Sequence, residues 1–455
     1  MKHIIVIGAG PAGMLAAGTA AEQGARVTLI EKMHKPGRKL AITGKGRCNL
    51  TNVKDWEDFS VHVHPVNRYF KPAFYGFTSE DTVRFFNGIG LPTVLERGSR
   101  VYPASGRAFD VIDVLVRWLE GLGVRLIYAT RVTGWVMDAE APSRIKAVQV
   151  TRNKNAIPGG PVGVSTPGSS LGVSTSGSSA GIGARGSGAN GLFAEAGEAG
   201  EEWEIKADHF ILATGGMSYP GTGSTGDGYG FAQAAGHTIV PVFPALTALM
   251  PLHYDKRLTG VKLKNVALQL MVNGQCKQEE EGELFFTDLG IEGPIGFRVS
   301  RRAVTALNNG EKVELHLNLK PAVGQEQLME RWQRTLQAKL RGPMQAGSAM
   351  QAKLRGFMPR ELVDPFSKYV TESGMHPVEA MQQWAFPITS YEGWRRAVVT
   401  AGGISMKEVN PKTMRSRLVG NLSFAGEVLD LDADSGGYNL QVAFATGRLA
   451  GKSAI

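Results

Sequence analysis

The sequence predicts an α/β protein in which a parallel sheet is interrupted by antiparallel strands and then by helices. Three observations predict it. A β-branched run, Ile4-Ile5-Val6-Ile7, leads through Gly8-Ala9-Gly10-Pro11-Ala12-Gly13 into an alanine-rich segment at 14–23, and a second apolar run at 27–30 ends in Glu31. That order reads as strand, tight turn, helix, strand and terminal acid. Residues 246–319 alternate in hydrophobicity, as at 266–272 and 313–319, which predicts an antiparallel sheet or small barrel. Residues 325–384 are mainly helical in pattern, strand character returns at 396–401 and 422–426, and a last helix spans 439–450.

Each part of the first unit has a physical job. Gly8 permits the tight turn, Gly10 lets the backbone approach a pyrophosphate, and Gly13 lets helix and strand pack closely. The helix start, with Pro11 and Ala12, offers N–H groups and the positive end of its dipole to phosphates. Glu31 sits about 20 residues beyond the turn, where an acid accepts hydrogen bonds from a ribose.

The bulk properties set limits. The chain has 455 residues, enough for two or three domains. No apolar run reaches the length of a membrane span, and the N-terminal segment enters its first strand with no room for a signal peptide. Two cysteines, Cys48 and Cys276, exclude a disulfide framework and suit a reducing cytoplasm. The formal net charge of +9 fits attraction of anionic cofactors, or a polyanionic substrate such as RNA.

Following the chain, a basic glycine-rich loop comes after Glu31, with Lys32, Arg38 and Lys39, then Thr43-Gly44-Lys45-Gly46-Arg47-Cys48-Asn49. Long polar loops of this kind carry function. Residues 78–90 and 110–122 have helical spacing, 94–102 reads as a strand pair turning at Arg97-Gly98, and 124–130 and 134–138 read as strands. Residues 155–200 are rich in Gly, Ser, Thr and Ala and hold a tandem repeat, 163–171 and 172–180, read as a disordered insertion in a hairpin between Val148 and Trp203. A second duplication, 337–342 and 351–356, falls in the helical region. Residues 210–216 read as a buried strand ending in Thr214-Gly215-Gly216. A second Gly-x-Gly-x-x-Gly at 221–226 follows Tyr219-Pro220 rather than a strand, so it reads as a loop over the ligand, not as a second nucleotide domain.

The loop 44–52, the strand end 213–216, and the tail Gly426-Glu427-Val428-Leu429-Asp430 with Gly436-Gly437-Tyr438-Asn439 occur in an order that resembles a family of bacterial FAD-binding flavoproteins. Its members include aminoacetone oxidases, 3-dehydro-bile-acid reductases and a ribosomal RNA dihydrouridine synthase. The resemblance covers most of the chain except the low-complexity insertion. It implies a discontinuous Rossmann-like FAD domain at 1–245 and 401–455, a β-barrel at 246–322 and 386–400, and a helical insert at 323–385. The tail agrees with FAD on physical grounds too, because it brings a second helix N-terminus to the ligand, as suits negative charge on a reduced flavin. The candidate cofactor contacts are therefore the turn from Gly8 to Gly13, Glu31, Lys32, Arg38 and Lys39, and Thr43, Gly44, Gly46, Arg47, Cys48 and Asn49. Val132, Thr214, Gly215, Gly216, Gly426, Glu427, Gly437, Tyr438 and Asn439 complete them.

The expected chemistry is transfer of hydride from NAD(P)H, a transient electron donor, through FAD to a conjugated C=C bond. A uridine of large-subunit ribosomal RNA and a small molecule are the candidate substrates. Cys48 and Asp288 are the candidate proton donors. Cys48 has cationic neighbours in Lys45 and Arg47, which would lower its pKa if close in space, though it also suits packing. The family commonly has His where Asp288 stands and Ser where Glu292 stands. Basic residues at Arg68, Lys71, Arg97, Arg100 and Arg107 and along 331–360, near Trp332, Phe357 and Tyr369, form a candidate RNA face. An amine oxidase and a flavin-bearing RNA-binding module without turnover are the alternatives. No metal-ligand cluster stands out.

Overall fold

The computed structural model describes residues 1–152, 202–339 and 346–455. The low-complexity insertion, and part of the second duplication, lie outside the described residues. The strands flanking the insertion, Ile145–Arg152 and Glu202–Lys206, pair antiparallel with Val150 opposite Trp203, so 153–201 is carried by a hairpin.

Five parallel strands form the central sheet, in the order Leu422–Phe424, His209–Leu212, His3–Ile7, Arg26–Ile30, Arg125–Ile127. All but the edge strand Arg125–Ile127 are buried on both faces, which is why they are apolar runs rather than alternating ones. The first strand lies in the middle. Its successor pairs on one side and the strand from residue 209 on the other, so a crevice opens at its carboxyl end, where α/β sheets take ligands. The first helix, Pro11–Glu22, and the last, Tyr438–Ser453, pack together beside the sheet. A Cβ on Gly447 would lie 2.2 Å from the Ala12 carbonyl oxygen, and one on Gly451 2.3 Å from that of Ala16. The two helices touch through their backbones.

The alternating stretch closes into a six-stranded antiparallel barrel, ordered Leu249–Pro251, Gly290–Glu292, Gln275–Thr287, Lys262–Val272, Val313–Asn318, Trp384–Tyr391. One expectation is corrected. Residues 293–308 are not strand but a 16-residue helix, Gly293–Asn308, whose Ile295, Val299, Ala303 and Ala306 recur at helical spacing and join the barrel core. The alternation on either side hides that period. A second difference concerns Val399–Ile404, which pairs with Ile239–Ala245 in a two-stranded sheet outside the barrel, so the barrel ends at its 384–391 strand.

The insert contains the helices Gln325–Lys339, Ala346–Leu354, Arg360–Ser373 and Pro377–Gln382, and its Leu328, Leu362 and Phe366 continue the barrel core. Trp332 and Phe357 pack on each other inside it with centroids 5.5 Å apart, and Lys353 lies 4.3 Å over the Trp332 ring and is itself buried. Trp332 is buried by this packing, whereas Phe357 is partly exposed. Barrel and sheet are joined by Arg301, which makes two bonds, of 2.7 and 3.0 Å, to the fully buried Asp432 carboxylate.

Replacing Gly447 by Ala drives a methyl group into the Ala12 carbonyl. It should cost about 1–3 kcal/mol as an overpacked contact, read as a lowered midpoint in chemical denaturation.

Candidate functional site

The glycine turn separates two kinds of requirement. A Cβ on Gly8, whose φ is +100°, would lie 2.6 Å from the Ala213 carbonyl oxygen, and one on Gly13 would lie 1.8 Å from that of Gly8. Both are demanded by the protein's own packing. A Cβ on Gly10 would meet nothing within 4 Å, and its backbone is ordinarily extended, with φ −79° and ψ −179°. Nothing in the chain requires glycine at position 10, so the open space before it suits a ligand that must come close to the backbone. The helix starting there has Pro11 at its head, no side-chain cap and no acid in its first turn. Its positive end is therefore left for an anion.

This turn borders a cavity of about 1390 Å³, its open mouth included. Glu31 lines it and is anchored on the turn. Its carboxylate accepts from the Ala9 N–H and the Met33 N–H, each at 2.8 Å. Burial raises this carboxyl above its ordinary value, against the pull of those two donors and of Lys32 and Arg38. Lys32 pairs with Asp227 at 2.9 Å and donates to Thr225. On the opposite wall Lys39 donates to both Glu427 oxygens (2.9 and 2.7 Å) and to the Ser218 hydroxyl (2.5 Å). Glu427 also accepts from the Thr400 N–H and from Ser218, each at 2.8 Å. Burial would push this carboxyl up, but Lys39, the Thr400 N–H and Ser218 together hold it below the ordinary glutamate range. The Thr214 hydroxyl is buried in the wall and makes no hydrogen bond within the structure.

Most expected cofactor contacts meet at this cavity. Gly8, Gly10, Pro11, Ala12, Glu31, Lys32, Arg38, Lys39, Thr43, Val132, Thr214, Gly215, Gly426, Glu427 and Asn439 all line it. Thr222, Gly223 and Ser224, from the second glycine-rich stretch, line it as a turn ahead of the helix Asp227–Ala234. The structure keeps others out of the wall. Gly13 and Gly216 serve packing, Gly216 against the Thr400 side chain. Gly44, Gly46 and Lys45 form an exposed turn with positive φ. Arg47 turns away to pair with Glu96 and stacks 4.2 Å over Tyr102. Asn49 and Gly437 pack on each other, a Gly437 Cβ falling 2.9 Å from Asn49 Oδ1. Tyr438 is buried, stacked 4.2 Å on His62 and edge-on to Phe59. Its neighbour Asn439 reaches the cavity and also braces the Ala433 and Asp434 backbone.

The structure places neither candidate proton donor on the cavity wall. Cys48 is fully buried, and burial pushes its thiol up to about 12 despite a hydrogen bond with Thr43. Lys45 and Arg47 do not lower it. Asp288 is exposed in the turn between two barrel strands and is absent from the cavity wall. Sequence reasoning missed Ser218, Thr400 and Asp227, which complete the two ion pairs. Ser218 and Asp227 lie 179 and 195 residues from Lys39 and Lys32, Thr400 lies 27 residues before Glu427, and no local pattern marks any of the three.

A family model described as "HI0933-like protein Rossmann domain" matches residues 2–185 and 188–453. The chain belongs to this family. It is 28% identical to the 3-dehydro-bile acid delta(4,6)-reductase of Clostridium scindens, over 100% of this chain and 99% of the relative. It is 27% identical to the ribosomal RNA dihydrouridine synthase of Haemophilus influenzae (97% and 96%), and 24% to the protein of that name from Escherichia coli K12 (97% and 95%). The family's Rossmann-type nucleotide-binding fold is that of the five-stranded sheet and its glycine turn. Among the described residues no helix is long and apolar enough to cross a membrane, and no group of three or more His, Cys, Asp or Glu could hold a metal.

Replacing Lys39 by Met leaves the Glu427 carboxylate without its cation. Because Glu427 is held low in the folded state, its stabilising effect is present above the unfolded carboxylate value and is lost as pH falls through the folded one. Lys39→Met should therefore cost about 1–3 kcal/mol at neutral pH. The difference from the unsubstituted protein should shrink in acid, as measured by urea unfolding across pH.

Proposed function

We propose that this protein is an FAD-dependent oxidoreductase that draws electrons from NAD(P)H and saturates a C=C bond conjugated to a carbonyl. The observation that carries the reading is the open approach to Gly10 at an uncapped helix N-terminus, with Glu31 anchored beside it. In this reading the N–H groups after Gly10 hold the pyrophosphate, and Glu31 takes a ribose hydroxyl with its remaining lone pairs. Thr43, the Lys39–Glu427 pair and the start of the last helix hold the flavin end. The unpartnered Thr214 hydroxyl is a further donor for the dinucleotide. Bound there, FAD would supply two-electron hydride transfer. Lys39 and the helix start would favour negative charge on the reduced ring.

The substrate we propose is a uridine of large-subunit ribosomal RNA, reduced at C5–C6. The net charge of +9 and the two dihydrouridine synthases among the relatives support it. A small-molecule enone is the second reading. The burial of Trp332 and Lys353 favours it, since these residues are then unavailable to bases and phosphates, and so does the bile acid reductase among the relatives.

Gly10→Val should cost no more than about 1–2 kcal/mol of stability, the loss of a good N-cap residue, because a Cβ at this position meets nothing within 4 Å. FAD content should fall at least about tenfold as the branched chain fills the approach. A variant that keeps its yellow colour overturns the assignment of Gly10. Anaerobic mixing with NADH or NADPH should bleach the flavin. Bleaching only by an amine, with peroxide formed in air, would mark an oxidase instead. Deletion cells should lack a dihydrouridine in large-subunit RNA by nucleoside mass spectrometry. Unchanged RNA, with an enone steroid reduced by the purified enzyme, selects the small-molecule reading.

A further inference from the structure

Glu292 stands at a junction that the cavity wall alone does not show. It ends the barrel strand Gly290–Glu292 and is the residue from which the helix Gly293–Asn308 starts, yet its side chain does not cap that helix. The carboxyl is half-buried. Three segments that line the cavity each carry a charged or phenolic group that interacts electrostatically with it. Lys45 lies two residues beyond Thr43, Tyr219 leads into Thr222 and Gly223, and Arg396 precedes Val398 and Val399. Lys45 reaches across to the barrel, its Nζ 5.8 Å from the ring centroid of Phe285, and Phe285 is the cross-strand partner of Glu292. Tyr219 is held at φ 54°, in the left-handed region that non-glycine residues rarely enter, by its N–H bond to the Trp394 carbonyl at 2.9 Å. Strain of this kind gathers where surrounding structure fixes a functional group.

We propose that Glu292 is the acid–base residue of this site, giving the substrate's α carbon the proton that completes reduction, with Lys45 and Arg396 facing the carbonyl oxygen. The inference rests on the reading of the chain as a reductase of conjugated carbonyls. The balance is simple. Hydride arrives at the β carbon, and the two electrons come ultimately from the nicotinamide donor. The C=C electron pair shifts toward the carbonyl, placing negative charge on oxygen, where cations stabilise it. The α carbon then takes the Glu292 proton as the C=O re-forms, and the carboxylate is reprotonated from water. The proton thus ends on carbon and the carboxyl is restored for the next turnover.

The surroundings support an acid rather than a permanent carboxylate. Burial raises the Glu292 carboxyl above its ordinary range, and Asp288 adds to the rise. A hydrogen bond with Thr287 and the charges of Arg396 and Lys45 oppose it without cancelling it. Tyr219 and Tyr254 also sense Glu292, which helps keep both phenols protonated. Asp288, exposed at the turn, has no such enclosure. Because the folded pKa is raised, the protonated form is lost at a higher pH than that of a free glutamate, and the loss comes as pH rises through the folded value.

The test compares the flavin-loaded protein with Glu292→Gln, and with Glu292→Ser as a second variant. Reduction by NAD(P)H and reoxidation by an enone steroid or a uridine-containing RNA are followed separately. Reoxidation should fall by about 10²–10⁴-fold in both variants. The loss of rate that the wild type shows with rising pH should disappear from what remains. A readout without cofactor accompanies it. The thermal midpoint of the wild-type apoprotein, relative to Glu292→Gln, should drop as pH rises through the raised carboxyl value, because only the wild type then ionises a half-buried group. Wild-type-like reoxidation in both variants, or a midpoint difference that does not change with pH, overturns the inference. A wild type whose reduced flavin no conjugated carbonyl reoxidises removes instead the reading on which it rests.

Discussion

The backbone contact between the first and last helices is the constraint on which the rest of the molecule depends. Gly447 and Gly451 lie against the Ala12 and Ala16 carbonyls, and a Cβ on Gly426 would fall 2.7 Å from that of Ala12. Only glycine permits such an approach. It brings the two ends of the chain to one place, and the cavity needs both. Its walls draw on the turn at 8–12, the loop at 31–43, the stretches at 213–227 and 398–399, and the tail from 425 to 443. Separating the helices would open the cavity between its first and last contributors.

Charge is arranged around that junction in pairs that reach across the sequence. Lys39 and Glu427 are 388 residues apart and share Ser218 as a third partner. Arg301 carries the barrel helix to Asp432, a few residues beyond Glu427. A buried carboxylate is costly alone and is tolerated when cations and N–H groups satisfy it. These pairs therefore act as locators. The first ties the loop after Glu31 to the tail, and the second ties the helix of the barrel to that same tail.

Much of this was legible in the residues. The first turn and Glu31 could be read because their partners are close in sequence and the physics is local: a tight turn, a helix start, an acid at a strand end. The strand pair read at 94–102 was legible from its turn at Arg97-Gly98, and the hairpin between Val148 and Trp203 from the change to low-complexity composition within it. The rest failed for identifiable reasons. The helix at 293–308 sits between alternating strands, and its period was lost among theirs. Cys48 and Arg47 belong to a motif that resembles a flavin loop, but motif identity does not say which way a side chain faces. Cys48 turned into the core and Arg47 out to Glu96. Tyr438 had an aromatic stack awaiting it in Phe59 and His62, nearly four hundred residues earlier. Ser218 and Thr400 carry no signature and gain their roles only from what folds beside them.

The placement of the sheet's edge strand has a consequence for how the protein is made. Leu422–Phe424 pairs with His209–Leu212, so that inner strand has an unpaired edge until residues 422–424 have been synthesised. At about 5–20 residues per second, the nascent N-terminal half waits on the order of tens of seconds for its last strand and its packing helix. The barrel, whose strands all fall between 249 and 391, can close during that wait. Such an order gives the emerging chain one self-contained folded unit while the nucleotide-binding half stays open. It also makes that half the part most exposed to chaperones, to proteases and to any stall in translation.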